Sequence, residues 1–397
     1  MPASPIPRAE TRLGYVPELE GLRGIAVLLV YVFHADRLIR LPRALGKEAP
    51  PALTDLPLAF VQAGHTGVSL FFVLSGFLLA RPFLVEGSGG PRVDRRRYAA
   101  RRALRILPLY LTAVLVGTLA TMREPADLLR AVPYLTFATG VLPTFEMMPP
   151  FTIGMWSLAT EAQFYLLLPF LPLALKSPRG RAVGGALLLA YVVAYATWTW
   201  NPLLPREGFA AYRLGLSVFG RGWLFLAGIG AAWLYYRHGA TLRARLAGVP
   251  WLRRGGADVA LLAVLVVLAL VLQVTLRPPT LRWDLPPRLL WHAPEGACWA
   301  AVLLLVLVAP LRLRALVTSR PLVGLGIVSY SIYLSHMPIL TFGLRFVRRQ
   351  WRGAAAGWEP SGVLAFAALS LVVILWSTLC YRVIERPFLR WKGRVRT

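Results

Sequence analysis

An arginine and a histidine lie in one apolar segment near the N-terminus, where ionisable side chains are not expected. The segment is LEGLRGIAVLLVYVFHAD, residues 19–36, and it contains Arg23 and His34. Eleven residues at about 100° each place both side chains on one helix face, about 16 Å apart along the axis. Such groups at membrane depth usually face a bundle interior or a water-filled cavity, so we interpret them as a functional pair. The alternative is that Arg23 extends to the interface and His34 caps a helix end.

A carboxylate lies in a second apolar segment, WSLATEAQFYLLLP, residues 156–169. Ser157 precedes Glu161 by four residues and Tyr165 follows it by four, so the three side chains share a helix face. A carboxylate at this depth needs a partner. Glu161 is therefore a candidate for proton transfer, and the alternative is a structural ion pair or a protonated acid bonded to a backbone carbonyl.

A histidine occupies the segment SYSIYLSHMP, residues 329–338, just before a proline. Counted from the estimated ends of the apolar runs, His34, Glu161 and His336 all lie about 10 Å below the outer surface. We therefore expect these three groups, which are suited to proton transfer, to meet. The alternative for His336 is a satisfied core or interface residue.

Eight arginines lie between Arg81 and Arg105, in the segment RPFLVEGSGGPRVDRRRYAARRALRILP, which we predict to be a cytoplasmic loop entering a span. A guanidinium binds phosphate through two parallel hydrogen bonds, and the glycines of GSGG, residues 87–90, allow a backbone to approach closely. The sequence thus indicates a phosphate site. The alternatives are a topology signal and contact with anionic lipid.

The composition indicates a membrane protein. Of the 397 residues, 57% are hydrophobic and 16% are charged, and the net charge of +26 falls between apolar runs, so we interpret it as a topology signal and not as a nucleic-acid surface. No zinc-ligand spacing, GxSxG motif or P-loop occurs, and no metal site is predicted. Cys298 and Cys380 are expected to be packing residues, and His65, His238 and His292 loop or interface residues.

The fold is predicted as an all-α polytopic membrane protein of about ten transmembrane helices, with the N-terminus and the C-terminus cytoplasmic. Residues 1–397 are expected to form a single transmembrane domain without an appended soluble domain, and the first apolar run is expected to remain as an anchor. The apolar part of 122–153 is predicted to pack against the protein without crossing. GVSLFFVLSGFLL, residues 67–79, is predicted to be a close-packing helix. The predicted spans are 20–38, 61–80, 105–121, 154–175, 182–200, 214–236, 257–276, 288–309, 321–343 and 361–383.

Six of these segments together resemble the membrane-bound acyltransferase-3 family over the whole chain. They are LEGLRGIAVLLVYVFHA, GVSLFFVLSGFLL, YAARRALRILPLY, WSLATEAQFYLLLP, SYSIYLSHMP and VIERPF. The resemblance implies transfer of an acyl group, commonly acetyl from acetyl-CoA, to extracytoplasmic or lipid-linked glycans, to peptidoglycan or to secondary metabolites. It also implies that Arg23 and His34 are the essential pair of the first helix, that Arg102 and Arg105 are the basic pair of the inner loop, and that Glu161 is the acid of the fourth-helix motif.

The chain departs from the family pattern at three positions. Ala162 stands where many members have a second glutamate, and Ser335 and Met337 flank His336 where tryptophans are common. The family's optional C-terminal hydrolase-like domain is not recognised, so direct transfer to the acceptor is expected.

We therefore expect an O-acyltransferase of the bacterial plasma membrane that moves an acyl group from cytoplasmic acyl-CoA to a hydroxyl of a glycan, lipid-linked sugar or metabolite. His34 would act as general base or form an acyl-histidine, and Glu161 could orient it or stabilise its imidazolium. No permanently bound cofactor is expected. The alternative is a membrane carrier of an acyl donor or lipid-linked sugar. The assigned residues are His34 and Glu161 for catalysis, Arg23, Arg102, Arg105 and Ser75 for acyl-CoA, and His336 and Tyr165 for the acceptor side.

Overall fold

The computed structural model describes residues 15–40, 56–139, 150–200, 214–276, 292–351 and 357–394. Within these ranges the chain is helical and contains no strand. Short helical turns join the longer helices. The α-helices of seven residues or more in this part of the chain are α1 (Pro17–Arg40), α2 (Leu56–Gln62), α3 (Thr66–Gly87), α4 (Arg95–Thr121), α5 (Met155–Leu167), α6 (Pro178–Trp200), α7 (Val218–Ala247), α8 (Ala257–Leu276), α9 (His292–Val308), α10 (Arg320–Ile327), α11 (Ser329–Gln350), α12 (Pro360–Cys380) and α13 (Arg386–Arg394).

Seven stretches of helix in the described ranges are long and apolar enough to cross a membrane, or eight if the bent pair α10 and α11 forms one span. Large apolar side chains on their outer faces suit contact with lipid, among them Leu187, which is 66% exposed, and Leu375, which is 62% exposed. The prediction of an all-α, multi-pass membrane protein is confirmed. The count of ten spans and the cytoplasmic location of both termini stay predictions. For the count, α1 carries charges near both of its ends, and α9 has only 17 residues.

Helix α1 lies in the middle of the bundle and packs against α3, α10 and α11. Its side chains Leu22, Ala26 and Val30 are buried. The contact with α10 is close: a Cβ added at Gly24 would lie 2.1 Å from the carbonyl oxygen of Leu322. This central position places Arg23, the neighbour of Gly24, among several helices.

Helices α3 and α7 also pack backbone to backbone. A Cβ at Gly76 would lie 2.4 Å from the carbonyl oxygen of Phe225, and one at Gly228 would lie 2.1 Å from that of Val73. Only glycine, which has no side chain, allows two helix backbones to come this close. The prediction that residues 67–79 form a close-packing helix is thus confirmed.

The predicted span 321–343 is divided into two helices, and that the two form one span stays a prediction. The chain bends by 78° between α10 and α11, at the break around Val328. A tertiary contact lies next to this break, since a Cβ at Gly326 would lie 1.8 Å from the carbonyl oxygen of Glu20 on α1. Helix α10 therefore lies along the start of α1, and α11 leaves it in a new direction.

The segment after α4 contains two short helices, Pro125–Ala131 and Val132–Leu135. Neither is long enough to cross about 30 Å of hydrocarbon. The Tyr110 hydroxyl of α4 donates to the carbonyl of Tyr134 at 2.9 Å, and its ring stacks on Phe137. The described part of this segment thus packs against the protein, as predicted, while residues 140–149 lie outside the described ranges.

The arginine-rich segment is largely helical, where the sequence had indicated a loop. Helix α4 begins at Arg95, ten residues before the predicted span, and Asp94 caps it by accepting a hydrogen bond of 3.1 Å from the backbone N–H of Arg97. This hydrogen bond lowers the pKa of the Asp94 carboxyl. The helix fixes the directions in which the later arginines of the segment point.

Candidate functional site

A cavity of about 880 Å³ lies between α1, α3, α4, α5 and the start of α11. Its volume is within the range of small-molecule sites. The charged residues that line it are Glu20, Arg23, Arg101, Arg102, Arg105 and Glu161. Ser75 and Tyr165 line it as well. The structure therefore brings six of the eight predicted site residues to one cavity: Arg23, Ser75, Arg102, Arg105, Glu161 and Tyr165.

Six of the eight arginines of the basic segment fall into two groups. Those at its start make local contacts: Arg81 lies over the ring of Tyr236, Arg95 pairs with Glu86, and Arg97 pairs with Asp94. Those further along α4, Arg101, Arg102 and Arg105, line the cavity. These contacts account for Arg81, Arg95 and Arg97 without any ligand, and the group that lines the cavity is the candidate for binding.

The glycine-rich turn does not take part in the cavity. Gly87 ends α3, and Gly89 adopts a φ of +90° where the chain reverses toward α4. None of the residues 87–90 lines the cavity. The expectation that GSGG lets a backbone approach phosphate is therefore corrected: these glycines end a helix.

Two cavity arginines have N–H groups that are buried and have no hydrogen-bond partner among the described residues. They are Nε of Arg102 and Nη2 of Arg105. The Arg102 guanidinium lies 5.9 Å from the ring centre of Tyr165. Tyr165 thus lies with the arginines and not beside His336, with which the sequence had grouped it. Unsatisfied charged donors at the wall of a cavity are what an anionic ligand would bind.

Glu385 pairs with the cavity residue Arg105, and the sequence assigned it no role. It is 3% exposed, and its Oε2 lies 3.7 Å from Nη1 of Arg105. Its other oxygen accepts a hydrogen bond from the Ser331 hydroxyl. The π-helical turn Tyr381–Glu385 directs it inward. The sequence feature that could have identified Glu385 is the motif VIERPF, in which an acid follows a long apolar run.

Glu161 accepts a hydrogen bond from the Ser75 hydroxyl across the cavity. Ser157, Glu161 and Tyr165 all line the cavity, as their shared helix face predicted. One turn from Glu161, the Ser157 hydroxyl bonds to the Tyr333 hydroxyl at 2.7 Å. Tyr333 also lines the cavity and was not singled out from the sequence, although it lies in SYSIYLSHMP.

His34 and His336 form a pair beyond this cavity. The distance from Nδ1 of His34 to Nε2 of His336 is 3.0 Å, and His336 is 1% exposed. Tyr333 joins the two places, because it lines the cavity and its ring centre lies 6.1 Å from that of His336. The structure thus brings together two of the three groups expected to meet. Glu161 bonds to Ser75 instead, since equal depth does not determine the direction of a side chain across the bundle.

A second buried polar cluster joins α3, α7 and α9. Arg221 donates to Nε2 of His292 at 2.7 Å, and Nδ1 of His292 lies 3.0 Å from Glu295. The Thr66 hydroxyl donates to Glu295 at 2.6 Å, and the Trp299 indole donates to Thr66 at 2.8 Å. We call these five residues the α9 network. It corrects the prediction that His292 is a loop or interface residue.

The structure also shows the surroundings of the other two histidines that the sequence set aside. His65 precedes α3, with its ring 5.8 Å from that of Phe33, and His238 is exposed beside Trp233. In the sequence, the α9 network could be recognised only from His292 and Glu295, which are three residues apart and so share a helix face. Arg221 and Thr66 come from distant parts of the chain.

Comparison with known proteins identifies the family. The model of the acyltransferase-3 family, described as an acyltransferase domain, matches residues 16–382. The chain is 26% identical to the Komagataeibacter xylinus protein named "Putative membrane-bound transacylase BcsY", over 95% of this chain and 84% of that protein. It is 25% identical to the peptidoglycan O-acetyltransferase OatA of Listeria monocytogenes, over 82% of this chain and 50% of that protein.

The chain spans half the length of the Listeria relative, and no solved structure matches it. The family match covers nearly all of the described helices, including α1 with its arginine and histidine and the arginines of α4. This chain, a multi-pass membrane protein and an acyl-transferring enzyme, belongs to the acyltransferase-3 family.

Proposed function

We propose that this protein is an O-acyltransferase that admits acyl-CoA from the cytoplasm and transfers the acyl group, acetyl in the expected case, to a hydroxyl of a glycan, lipid-linked sugar or metabolite. The observation that supports it most is the cavity that unites Arg23, Arg102 and Arg105 with Ser75 and Glu161. We assign the arginine end of this cavity to the phosphates of CoA.

The charge balance of the cavity supports an anionic donor. Arg23 lies 3.4 Å from Glu20, and Arg105 lies 3.7 Å from Glu385. For Arg102, no carboxylate lies within ion-pairing distance in the part of the chain that the structure describes. A diphosphate would supply the acceptor oxygens that its planar guanidinium can bind through two hydrogen bonds.

The central part of the cavity suits the pantetheine arm. Glu161 is held by the Ser75 hydroxyl and retains further lone pairs that can accept the amide N–H groups of the arm. Tyr333 lies at the end nearest the histidine pair. The proposed path of the donor therefore runs from the α4 arginines past Glu161 and Tyr333 to His34.

His34 would act as the general base on the acceptor. It takes the hydroxyl proton as the oxygen attacks the thioester carbon, so the C–O bond forms and the C–S bond breaks. The thiolate of CoA leaves and receives the proton from the imidazolium. In this scheme Glu161 binds the donor, and the earlier suggestion that it orients His34 is not retained, because its hydrogen bond goes to Ser75.

The test is release of free CoA thiol by the purified protein in lipid nanodiscs, given acetyl-CoA and a panel of hydroxyl acceptors. We expect thiol release that depends on the acceptor and is lost in His34→Ala. Absence of release with every acceptor, together with transport of acetyl-CoA or a lipid-linked sugar across proteoliposomes, would refute the proposal and support the carrier alternative. Mass spectrometry of envelope glycans and secreted metabolites, with and without the gene, would identify the acceptor.

A further inference from the structure

The hydrogen bonds of His336 determine which of its nitrogens carries the proton. Nδ1 of His336 lies 3.0 Å from the carbonyl oxygen of Ile332, one turn earlier on α11. A carbonyl can only accept, so Nδ1 must be the donor. In the neutral ring Nε2 then carries the lone pair. This nitrogen faces His34.

The same reasoning extends to His34. Its Nδ1 lies 3.0 Å from Nε2 of His336, and a hydrogen bond between two ring nitrogens needs one proton. Because Nε2 of His336 has none, Nδ1 of His34 must supply it. In neutral His34 the lone pair is therefore on Nε2.

We propose that His336 is a positioning residue that holds His34 in the tautomer with its proton on Nδ1 and its basic lone pair on Nε2. This inference rests on the proposed function, in which His34 is the general base. Nε2 takes the proton of the acceptor hydroxyl, and the imidazolium later returns it to the thiolate of CoA, so His336 neither gains nor loses a proton. The bond to His336 strengthens while His34 is charged, since its donor is then a cation.

The surroundings of the pair keep His336 in place. Its ring lies near those of Tyr31 and Tyr333, with centre distances of 6.3 Å and 6.1 Å. Arg37 on α1 and His65 at the start of α3 are the further charged and titratable groups that face His34. The roles of these groups resemble those in a catalytic triad: a carbonyl and a neutral imidazole orient the base, as a buried carboxylate does in the triad.

Two substitutions at position 336 separate positioning from packing. In His336→Gln the amide oxygen can still accept from Nδ1 of His34, whereas His336→Phe fills the space without an acceptor. We expect His336→Phe to lower kcat about 10- to 100-fold, as loss of an orienting partner commonly does. The KM for acetyl-CoA should be unchanged, because His336 does not line the cavity. His336→Gln should retain most of the rate and the wild-type dependence of kcat on pH.

The outcomes are distinguishable from failure of the proposed function. If wild-type protein releases no thiol, the proposed function fails. If it does, and His336→Phe has the wild-type kcat and pH profile, the positioning role is refuted. Equal loss of thermal stability in both variants would also refute it, since that indicates packing alone.

A direct readout does not depend on the variants at position 336. In ¹⁵N-histidine-labelled wild-type protein, the signals lost in His34→Ala should show Nδ1 protonated and Nε2 as the bare nitrogen. The opposite pattern would overturn the inference even if every variant at position 336 misfolds.

Discussion

Replacing Arg102 and Arg105 together by lysine separates two explanations for the basic residues of α4. A topology signal depends on the total positive charge near a span, whereas a phosphate site depends on the planar guanidinium. Lysine keeps the charge, so membrane insertion should be preserved. It cannot offer two parallel N–H groups to one phosphate, so binding of CoA should weaken.

The magnitude follows from the buried N–H groups that the structure leaves open. Nε of Arg102 and Nη2 of Arg105 have no hydrogen-bond partner among the described residues. Phosphate oxygens would accept hydrogen bonds from both N–H groups. A charged hydrogen bond of this kind contributes about 1–3 kcal/mol when it is partly desolvated. We therefore expect the Kd for CoA to rise about 5- to 150-fold in the double variant.

Isothermal titration of purified protein with CoA measures this change, and a thermal-shift series with CoA checks it. Arg97→Lys is the matched control, because it lies on the same helix, pairs with Asp94 and does not line the cavity. Its affinity for CoA should equal that of the wild type. Unchanged affinity in the double variant, with normal expression, would refute the phosphate site and leave these arginines as a topology signal.

Three further predictions follow. His34→Ala should abolish acyl transfer while CoA affinity stays at the wild-type level, because His34 is outside the cavity; near-normal turnover would contradict its role as base. Glu385→Gln should lower thermal stability in detergent, since it leaves the Arg105 charge without its buried partner, and CoA should stabilise this variant more than the wild type; an equal shift with CoA would count against the site. In a background without native cysteines, Pro91→Cys, at an exposed turn, should react with an impermeant maleimide only after the membrane is opened; labelling on intact cells would overturn the predicted topology.

The helices could be predicted because crossing hydrocarbon demands about twenty apolar residues, a requirement that appears directly in the sequence. The bend at Val328 could not be predicted, since 321–343 is one apolar run in the sequence. The contact beside the bend, Gly326 against Glu20, joins residues about three hundred positions apart. Helical spacing likewise predicted the shared face of Ser157, Glu161 and Tyr165.

The partners across helices were beyond sequence reasoning. Glu161 bonds to Ser75, 86 residues away, and His34 bonds to His336, 302 residues away. Depth estimates placed these groups at one level, but which helices face each other depends on the packing of glycines such as Gly24 and Gly76.

The α9 network has a consequence for the order in which the bundle is assembled during synthesis. Its histidine enters 71 residues after Arg221, and its carboxylate enters 229 residues after Thr66. Membrane helices insert first and associate afterwards, and a nascent chain presents them from the N-terminus onward. Helices α3 and α7 are therefore synthesised before His292 and Glu295, which link Arg221 to Thr66, have been made. In a ribosome-stalled chain that ends before His292, Arg221 and Thr66 would lack this polar link, and completion of α9 would supply it.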